Sequence, residues 1–195
     1  MKRSSRKTSS PGHARNVCGA LLVALLCAAL SQPLAAAALA GEDAGIILEL
    51  DREQFLLTLR DGRSGVAGPP LRVALGSPAR ETPAGRYPLY RVILRPSWKP
   101  GELGRSAGAV AEPSSLETPM GAVKIPFAPG GYALHGGGDP RVLGIPISSG
   151  CVRAIDSDLL RLVAWLHLHG VLEEPVERRG EVHRDFRRPA RLIVH

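Results

Sequence analysis

Short apolar runs separated by glycine, proline and aspartate turns constrain the fold of this chain most strongly. Between Gly45 and His135 each run of four to eight residues is followed by turn residues, for example Asp61-Gly62. Six strands are predicted, at residues 46–50, 55–59, 71–75, 87–94, 123–127 and 132–135. Because these strands do not alternate with helices, we expect a mainly β sandwich or barrel rather than a parallel α/β sheet.

One segment has the period of a helix instead. From Asp156 the apolar residues recur at helical spacing until Gly170, and an acidic start with a glycine end is typical of helix boundaries. The sequence therefore predicts one helix that packs on the sheet after Cys151. His167 and His169 fall in its last turn, and we expect structural roles for them because no cysteine or carboxylate accompanies them at metal-ligand spacing.

Two further segments carry no clear period. Residues 96–119 are rich in glycine, proline, serine and alanine, and they predict a long loop, interpreted as a candidate lid over a substrate site. Residues 177–195 are predicted to form a basic tail behind a domain at residues 41–176. Within this tail, residues 192–194 could add a last strand.

The first forty residues have the layout of a secretory signal peptide. Basic residues precede an apolar run at residues 17–30, and small residues ending in Ala38-Leu39-Ala40 follow it. The apolar run is short for a membrane span, which needs about 20 residues. We therefore predict an exported protein, with a membrane contact only if the signal stays uncleaved.

Cleavage after Ala40 changes both the charge and the cysteine content. Five of the 25 lysines and arginines and none of the 18 acidic residues lie in residues 1–40, so the remainder carries 20 minus 18, or +2. This small charge predicts no nucleic-acid partner. Cys18 and Cys27 leave with the signal. Cys151 then has no internal disulfide partner, and its thiol is a structural residue, an intermolecular link or a reactive group.

The residues around Cys151 suit a nucleophile. A free thiol has a pKa of about 8.5, so a nucleophilic cysteine needs a base or a positive neighbour at neutral pH. His135, followed by glycines at a predicted strand end, could supply that base. Gly150 allows a tight turn before the thiol, and the amides of Gly150 and Cys151 could face the oxyanion of a tetrahedral intermediate. Arg153 lies near enough to hold a carboxylate.

The segment from His135 to Arg153 resembles the signature of the L,D-transpeptidase catalytic domain, the YkuD family. That signature has His-Gly, a spacer of this length and Ser-His-Gly-Cys-(Ile/Val)-Arg, and the likeness extends over about residues 45–175. The resemblance implies that Cys151 attacks a peptidoglycan tetrapeptide stem, forms a thioester and expels D-alanine. It also implies that His135 deprotonates the thiol, with no cofactor and no metal.

The resemblance assigns the neighbouring residues as well. Gly136 stands where the family orients the imidazole through the residue after the histidine. Ser148 and Arg153 match motif positions that hold substrate, and Gly150 matches one that shapes the pocket. Ser149 replaces the second histidine of the commoner motif, so whatever that imidazole contributes to the oxyanion pocket or to the thiolate must come from the Ser149 hydroxyl or from another group.

Several alternatives stay open. A neighbouring stem as acceptor would give a cross-link, a lysine would attach a protein to the wall, and water would make an L,D-carboxypeptidase. A non-catalytic wall-binding module with an inert Cys151 is a different class of function. A papain-like hydrolase has the cysteine before the histidine, the reverse of this order, and a metal hydrolase would need spaced ligands. With a signal peptide, the expected location is the periplasm or the cell wall.

Overall fold

The predicted strands form a curled β-sheet. The computed structural model describes residues 44–98 and 118–195, so the predicted signal peptide and most of the predicted lid lie outside the described residues. The strands are β1 (Ile46–Asp51), β2 (Leu56–Asp61), β3 (Leu71–Arg72), β4 (Leu75–Gly76), β5 (Gly85–Leu94), β6 (Val123–Ala128), β7 (Tyr132–His135), β8 (Pro146–Ser148), β9 (Val152–Arg153), β10 (Val176–Arg178) and β11 (Glu181–Val194). The predicted helix is α1 (Asp156–Leu168), and a short 3-10 helix spans Pro140–Val142.

Most strands belong to one sheet, in the order β3-β2-β1-β11-β5-β6-β7-β9, with β10 paired to β11. The pairs β1–β11 and β7–β9 are parallel, and the other neighbours in this sheet are antiparallel. Strands β4 and β8 form a separate parallel pair. The expected mainly β, barrel-like class with one helix after the cysteine is confirmed.

The two edges of the main sheet meet through Ala74. This residue follows edge strand β3, yet its amide donates to the Arg153 carbonyl and its carbonyl accepts from the Arg153 amide, both at 2.8 Å. Arg153 belongs to the opposite edge strand, β9. These two hydrogen bonds therefore curl the sheet and fix the position of β9 where the two edges meet.

Helix α1 packs its apolar face on the sheet. Leu159, Leu162 and Leu166 are fully buried, as the helical spacing predicts. Alternate residues of β6 point into the same core, which gives the strand its period of two. Burial of a leucine side chain contributes about 2 kcal/mol, so this face holds the helix start close behind β9. Within residues 44–98 and 118–195, no helix is long and apolar enough to cross a membrane.

The basic C-terminal segment differs from the prediction. Instead of a tail with a strand at residues 192–194, β11 covers fourteen residues in the sheet interior, between β1 and β5. Ala190, Leu192 and Val194 of this strand join the apolar core, and Phe186 packs against it. Arg191 alternates with them, and Arg187 and Arg188 lie in a bulge between Asp185 and Ala190. Because the bulge interrupts the alternation, the strand lacks the regular apolar period by which strands are found.

Arg188, in that bulge, forms a buried ion pair. Its two terminal nitrogens donate to the Asp61 carboxylate at 3.1 and 2.9 Å, and the Arg63 amide donates to the same carboxylate at 2.9 Å. The Asp61 and Arg188 side chains are only 8% and 15% exposed. The hydrogen bond from Arg188 is the largest cause that lowers the pKa of Asp61 from 3.8 to about 2. The pair thus fastens the bulge of β11 to the end of β2.

Replacing Asp61 with asparagine is expected to destabilise the protein by about 3 kcal/mol, because it leaves the Arg188 charge buried without its partner. In the parent, the folded-state pKa lies below the unfolded value. The stabilisation by this carboxylate is therefore complete above about pH 4, and it is lost as the pH falls toward 2. Urea unfolding at several pH values measures both effects. Asp185→Asn removes the half-exposed pair with Arg91, so it should cost below about 1 kcal/mol, and an equal cost for the two variants would contradict this role of the buried pair.

Candidate active site

The register of β7 and β9 places two of the predicted site residues side by side. His135 is opposite Arg153, and Leu134 is opposite Val152. Leu134 and Val152 belong to the core, so alternation along the strands directs the flanking residues away from it. Cys151 comes directly before β9. The structure therefore brings His135 beside Arg153, which lies eighteen residues later in the sequence and two residues after Cys151.

The His135 imidazole is buried, with 1% of the residue exposed, and held in one orientation. Its Nδ1 lies 2.7 Å from the carbonyl oxygen of Gly136. Because a carbonyl only accepts, Nδ1 carries the proton and Nε2 is the basic nitrogen. The Gly136 carbonyl thus has the geometry of the predicted orienting group.

The surroundings of His135 keep its ring neutral. Burial is the largest cause that lowers its pKa from 6.5 to about 4, and the positive charges of Arg153 and Lys124 lower it further. The hydrogen bond to Gly136 and the carboxylate of Asp156 act in the opposite direction. At neutral pH the Nε2 lone pair is therefore available to accept a proton.

Cys151 is partly exposed and is a free thiol. Its Sγ lies 3.8 Å from the carbonyl oxygen of Gly131, to which the thiol donates. In the part of the chain that the structure describes, no hydrogen bond joins this thiol to His135. The sulfur is therefore accessible from solvent, while the His135 imidazole is shielded from it.

Ser148 holds the turn that leads to Cys151. Its hydroxyl donates to the Cys151 carbonyl at 2.6 Å and accepts from the Gly150 amide at 3.0 Å. Only 2% of Ser148 is exposed, so its hydroxyl has a role inside the turn, and the substrate contact of this residue stays a prediction. The Gly150 amide is likewise engaged, which leaves the Cys151 amide as the candidate oxyanion donor of the two predicted.

Gly150 is required by the backbone and by the space around it. Its φ of +105° is a conformation that side chains disfavour, and a Cβ here would overlap the Tyr132 ring. Ser149 next to it is exposed and makes no side-chain hydrogen bond within the described residues. The hydroxyl that replaces the second motif histidine therefore faces solvent beside the thiol.

Arg153 is fixed at its backbone and unpaired at part of its side chain. The two hydrogen bonds with Ala74 hold the residue in place. Its Nε is buried, and within the described residues it has no hydrogen-bond partner. A buried donor without a partner costs free energy unless another group satisfies it, so the Arg153 Nε can donate to a carbonyl or carboxylate of a substrate here.

Asp156 is the site residue that the sequence analysis missed. It was interpreted only as the acidic start of the helix, yet its Oδ1 accepts from the amides of Ala122 and Gly137 at 2.8 and 3.1 Å. In the sequence, an acidic residue a few positions after a nucleophile motif is only a weak indication of a site residue. Its meaning depends on residue 122 lying beside residue 137, which the pairing of β6 with β7 determines.

A cleft of about 510 Å³ lies beside the β4–β8 pair, of which β8 leads into the turn before Cys151. Leu75, Gly76 and Pro146, from the β4–β8 pair, form one side of it, and Glu81 and Thr82 line it as well. Neither Cys151 nor His135 lines this cleft. The Glu81 carbonyl is nevertheless close to Gly150, 3.4 Å from where a Cβ of that residue would stand.

The two histidines at the end of α1 make contacts of a structural kind. The His167 Nδ1 lies 3.0 Å from a terminal nitrogen of Arg184, which donates to it. His169 stacks on Trp165 with 4.0 Å between ring centroids. Across residues 44–98 and 118–195, no group of three or more histidine, cysteine, aspartate or glutamate side chains could hold a metal ion.

Together the fold and the site define a mainly β domain with a histidine at the end of β7 and a cysteine directly before the adjoining edge strand β9. The family model of YkuD, the L,D-transpeptidase catalytic domain, matches residues 44–177. Since this match covers more than half of the sequence, the chain belongs to the L,D-transpeptidase catalytic domain family. A comparison with curated protein sequences gives no match.

Solved structures of L,D-transpeptidases share the fold. The avibactam carbamoyl enzyme of Ldtfm aligns with a TM-score of 0.50 and 18% identity, over 78% of this chain and 49% of that one. A cysteine-to-serine mutant of the Enterococcus faecium L,D-transpeptidase gives 0.50 and 15%, over 77% and 50%. The L,D-transpeptidase from Mycobacterium smegmatis gives 0.43 and 16%, over 78% and 59%. The chain thus spans about half to three fifths of the length of these structures.

Proposed function

We propose that this protein is a peptidoglycan L,D-transpeptidase that acts through a thioester on Cys151. The observation that carries the proposal is the state of His135: buried, neutral at pH 7, with Nδ1 held by the Gly136 carbonyl and Nε2 free to act as a base. A neutral imidazole on the strand next to an accessible thiol is the arrangement that nucleophilic cysteine catalysis needs.

In the acylation step, Nε2 takes the proton of the Cys151 thiol, and the sulfur attacks the carbonyl carbon of the diamino acid in a tetrapeptide stem. The Cys151 amide stabilises the oxyanion that forms. The C–N bond to the terminal D-alanine then breaks, and His135 returns the proton to the departing amine. Catalytic hydrogen bonds often tighten only in the substrate complex, so the thiol leaves the Gly131 carbonyl for Nε2 in this step.

In the transfer step, the amine of an acceptor attacks the thioester carbonyl. His135 removes a proton from that amine, a C–N bond forms, and the C–S bond breaks to regenerate the thiolate. Both half-reactions conserve oxidation state and use no further reactant. An acceptor amine from a second stem gives a cross-link, and a lysine amine attaches a protein to the wall.

Arg153 is the residue of this chain best placed to hold the donor stem. Its side chain lies beside His135 on β9 and offers a buried Nε without a partner in the described part of the chain. Stem peptides carry carboxylates and carbonyls that such a donor binds. The signal-like residues 1–40 support export, so the proposed place of action is the periplasm or the cell wall.

Incubation of the full chain with purified disaccharide tetrapeptides tests the proposed reaction. Cross-linked dimers that lack one terminal D-alanine are expected, and mass spectrometry of the separated products identifies them. Disaccharide tripeptides without dimers would show an L,D-carboxypeptidase instead. Unchanged tetrapeptide, with bound protein recovered on the wall polymer, would favour the non-catalytic wall-binding module and overturn the proposal.

A further inference from the structure

One carboxylate oxygen joins three segments behind the active site. Asp156 is the first residue of α1, and its Oδ1 accepts from the amide of Ala122, before β6, and from the amide of Gly137, after β7. Both donors are backbone groups, so their direction depends on the path of the chain. Asp156 therefore sets the distance between the helix start and these two loops.

The packing around this oxygen leaves no space for side chains on the neighbouring loop residues. A Cβ on either Gly121 or Gly136 would overlap the Asp156 carboxylate. Gly121 has a φ of +62° and Gly137 a φ of +71°, conformations that glycine adopts readily. Three glycines thus let the two loops close around one carboxylate oxygen, which indicates a fixed arrangement rather than a surface contact.

The same loop carries the group that orients the catalytic base. Gly136 directly precedes Gly137, and its carbonyl accepts from Nδ1 of His135 at 2.7 Å. The position of that carbonyl is therefore determined on one side by β6, through the hydrogen bond of the Gly136 amide to the Val123 carbonyl at 2.9 Å, and on the other by Asp156. The chain from the helix start to the imidazole is continuous: Asp156, the Gly136-Gly137 peptide and His135.

We propose that Asp156 is a positioning residue for the acyl transfer: its carboxylate holds the Gly136-Gly137 turn so that the Gly136 carbonyl keeps His135 in the Nδ1–H tautomer with Nε2 as the base. The inference rests on the proposed function for its catalytic consequence. The tautomer that it predicts for His135 does not depend on whether the protein catalyses the reaction. The groups whose charge acts on the ring are Arg153 on β9, Lys124 on β6 and Asp156 on α1.

The tautomer is measured by ¹⁵N NMR of the His135 ring in the full chain, with His135→Gln to assign its signals. The parent is expected to show a protonated Nδ1 and a bare Nε2. In Asp156→Ala the turn loses its anchor, so the ring nitrogen shifts should move toward the average of two tautomers. Asp158→Ala is the matched control, because it removes an acid from the same helical turn whose partner is Arg161, and it should keep the parent tautomer.

Turnover separates positioning from general support of the fold. Asp156→Ala is expected to lower kcat by about tenfold to a hundredfold with little change in KM, since a misdirected base slows the chemistry rather than binding. Asp156→Asn keeps an acceptor oxygen and should restore kcat. It also removes a negative charge that raises the pKa of His135, so the acid limb of its pH profile should move to lower pH.

The outcomes separate the two proposals. A parent that makes no product while its His135 tautomer depends on Asp156 overturns the proposed function and keeps the positioning role. If Asp156→Ala keeps both the tautomer and kcat of the parent, the positioning role is overturned. If Asp156→Ala fails to fold, Asp156→Glu decides, because it keeps the charge and displaces the acceptor oxygen by one methylene: ring nitrogen shifts that move toward the average of two tautomers support the role, and the tautomer and kcat of the parent overturn it.

Discussion

Replacing Cys151 with alanine is expected to abolish product formation, with a loss of at least about a thousandfold in kcat/KM at pH 7. The sulfur forms the covalent bond on which both half-reactions depend, and a methyl group cannot replace it. The side chain is partly exposed, and its one hydrogen bond to the described part of the chain is the long contact to Gly131. The folded state should therefore survive, with a Tm within a few degrees of the parent.

The matched control for this loss is Ser149→Ala, which removes a hydroxyl next to the thiol. Because Ser149 is exposed, a modest decrease is expected if its hydroxyl assists the oxyanion. Kinetics on tetrapeptide donor with both variants measure the contrast. Cross-linking by Cys151→Ala at more than a few per cent of the parent rate would contradict a nucleophilic role for the thiol.

Replacing His135 with glutamine is expected to lower kcat/KM for donor by about a hundredfold to ten-thousandfold, the range that a general base contributes. The parent should lose activity only as the pH falls toward about 4, because protonation of Nε2 removes the base and burial holds the pKa of His135 near that value. If the base were an exposed histidine, activity would instead be lost near pH 6.5.

The pH profile of His135→Gln provides the check. Without an internal base, hydroxide must ionise the thiol, so the residual rate should increase with pH above 7 while the parent rate stays level. Lys124→Gln is the matched control, since it removes a positive charge that lowers the pKa of His135 and should move the acid limb of the parent upward. If the activity of the parent is lost near pH 6.5 and neither variant shifts that loss, a group other than His135 controls the acid side of the pH profile.

Strands β5, β6 and β7 could be predicted because each has a local signature. The short strands β8 and β9 beside Cys151 were not predicted, since two or three residues are too few to show a period. Alternating residues in β6, and the turn before β5, identify elements whose burial depends mainly on their own sequence. Helix α1 was predictable for the same reason, since Leu159, Leu162 and Leu166 recur at helical spacing. The pair of Cys151 and His135 could be predicted because both residues lie in one short motif, and each stands next to a turn that is rich in glycine.

Other features depend on contacts between distant segments. Strand β11 was predicted as a tail because its arginines obscure the apolar period, and its place between β1 and β5 is a property of the whole sheet. Ser148 was assigned to substrate, yet its hydroxyl is satisfied inside the turn. Asp156 gains its role only when β6 pairs with β7 and brings residues 122 and 137 together. A sequence pattern records residue types, whereas these roles are set by tertiary hydrogen bonds.

The intact mass of the full chain, followed in the first seconds after mixing with disaccharide tetrapeptide in the absence of an acceptor, tests the central claim most directly. The mechanism predicts a transient adduct on Cys151 whose mass equals that of the donor less one D-alanine. Added acceptor amine should shorten the lifetime of the adduct, and Cys151→Ala should show none. Cross-linked product from a parent that never carries this adduct, or an adduct that persists in Cys151→Ala, would contradict a thioester at this residue.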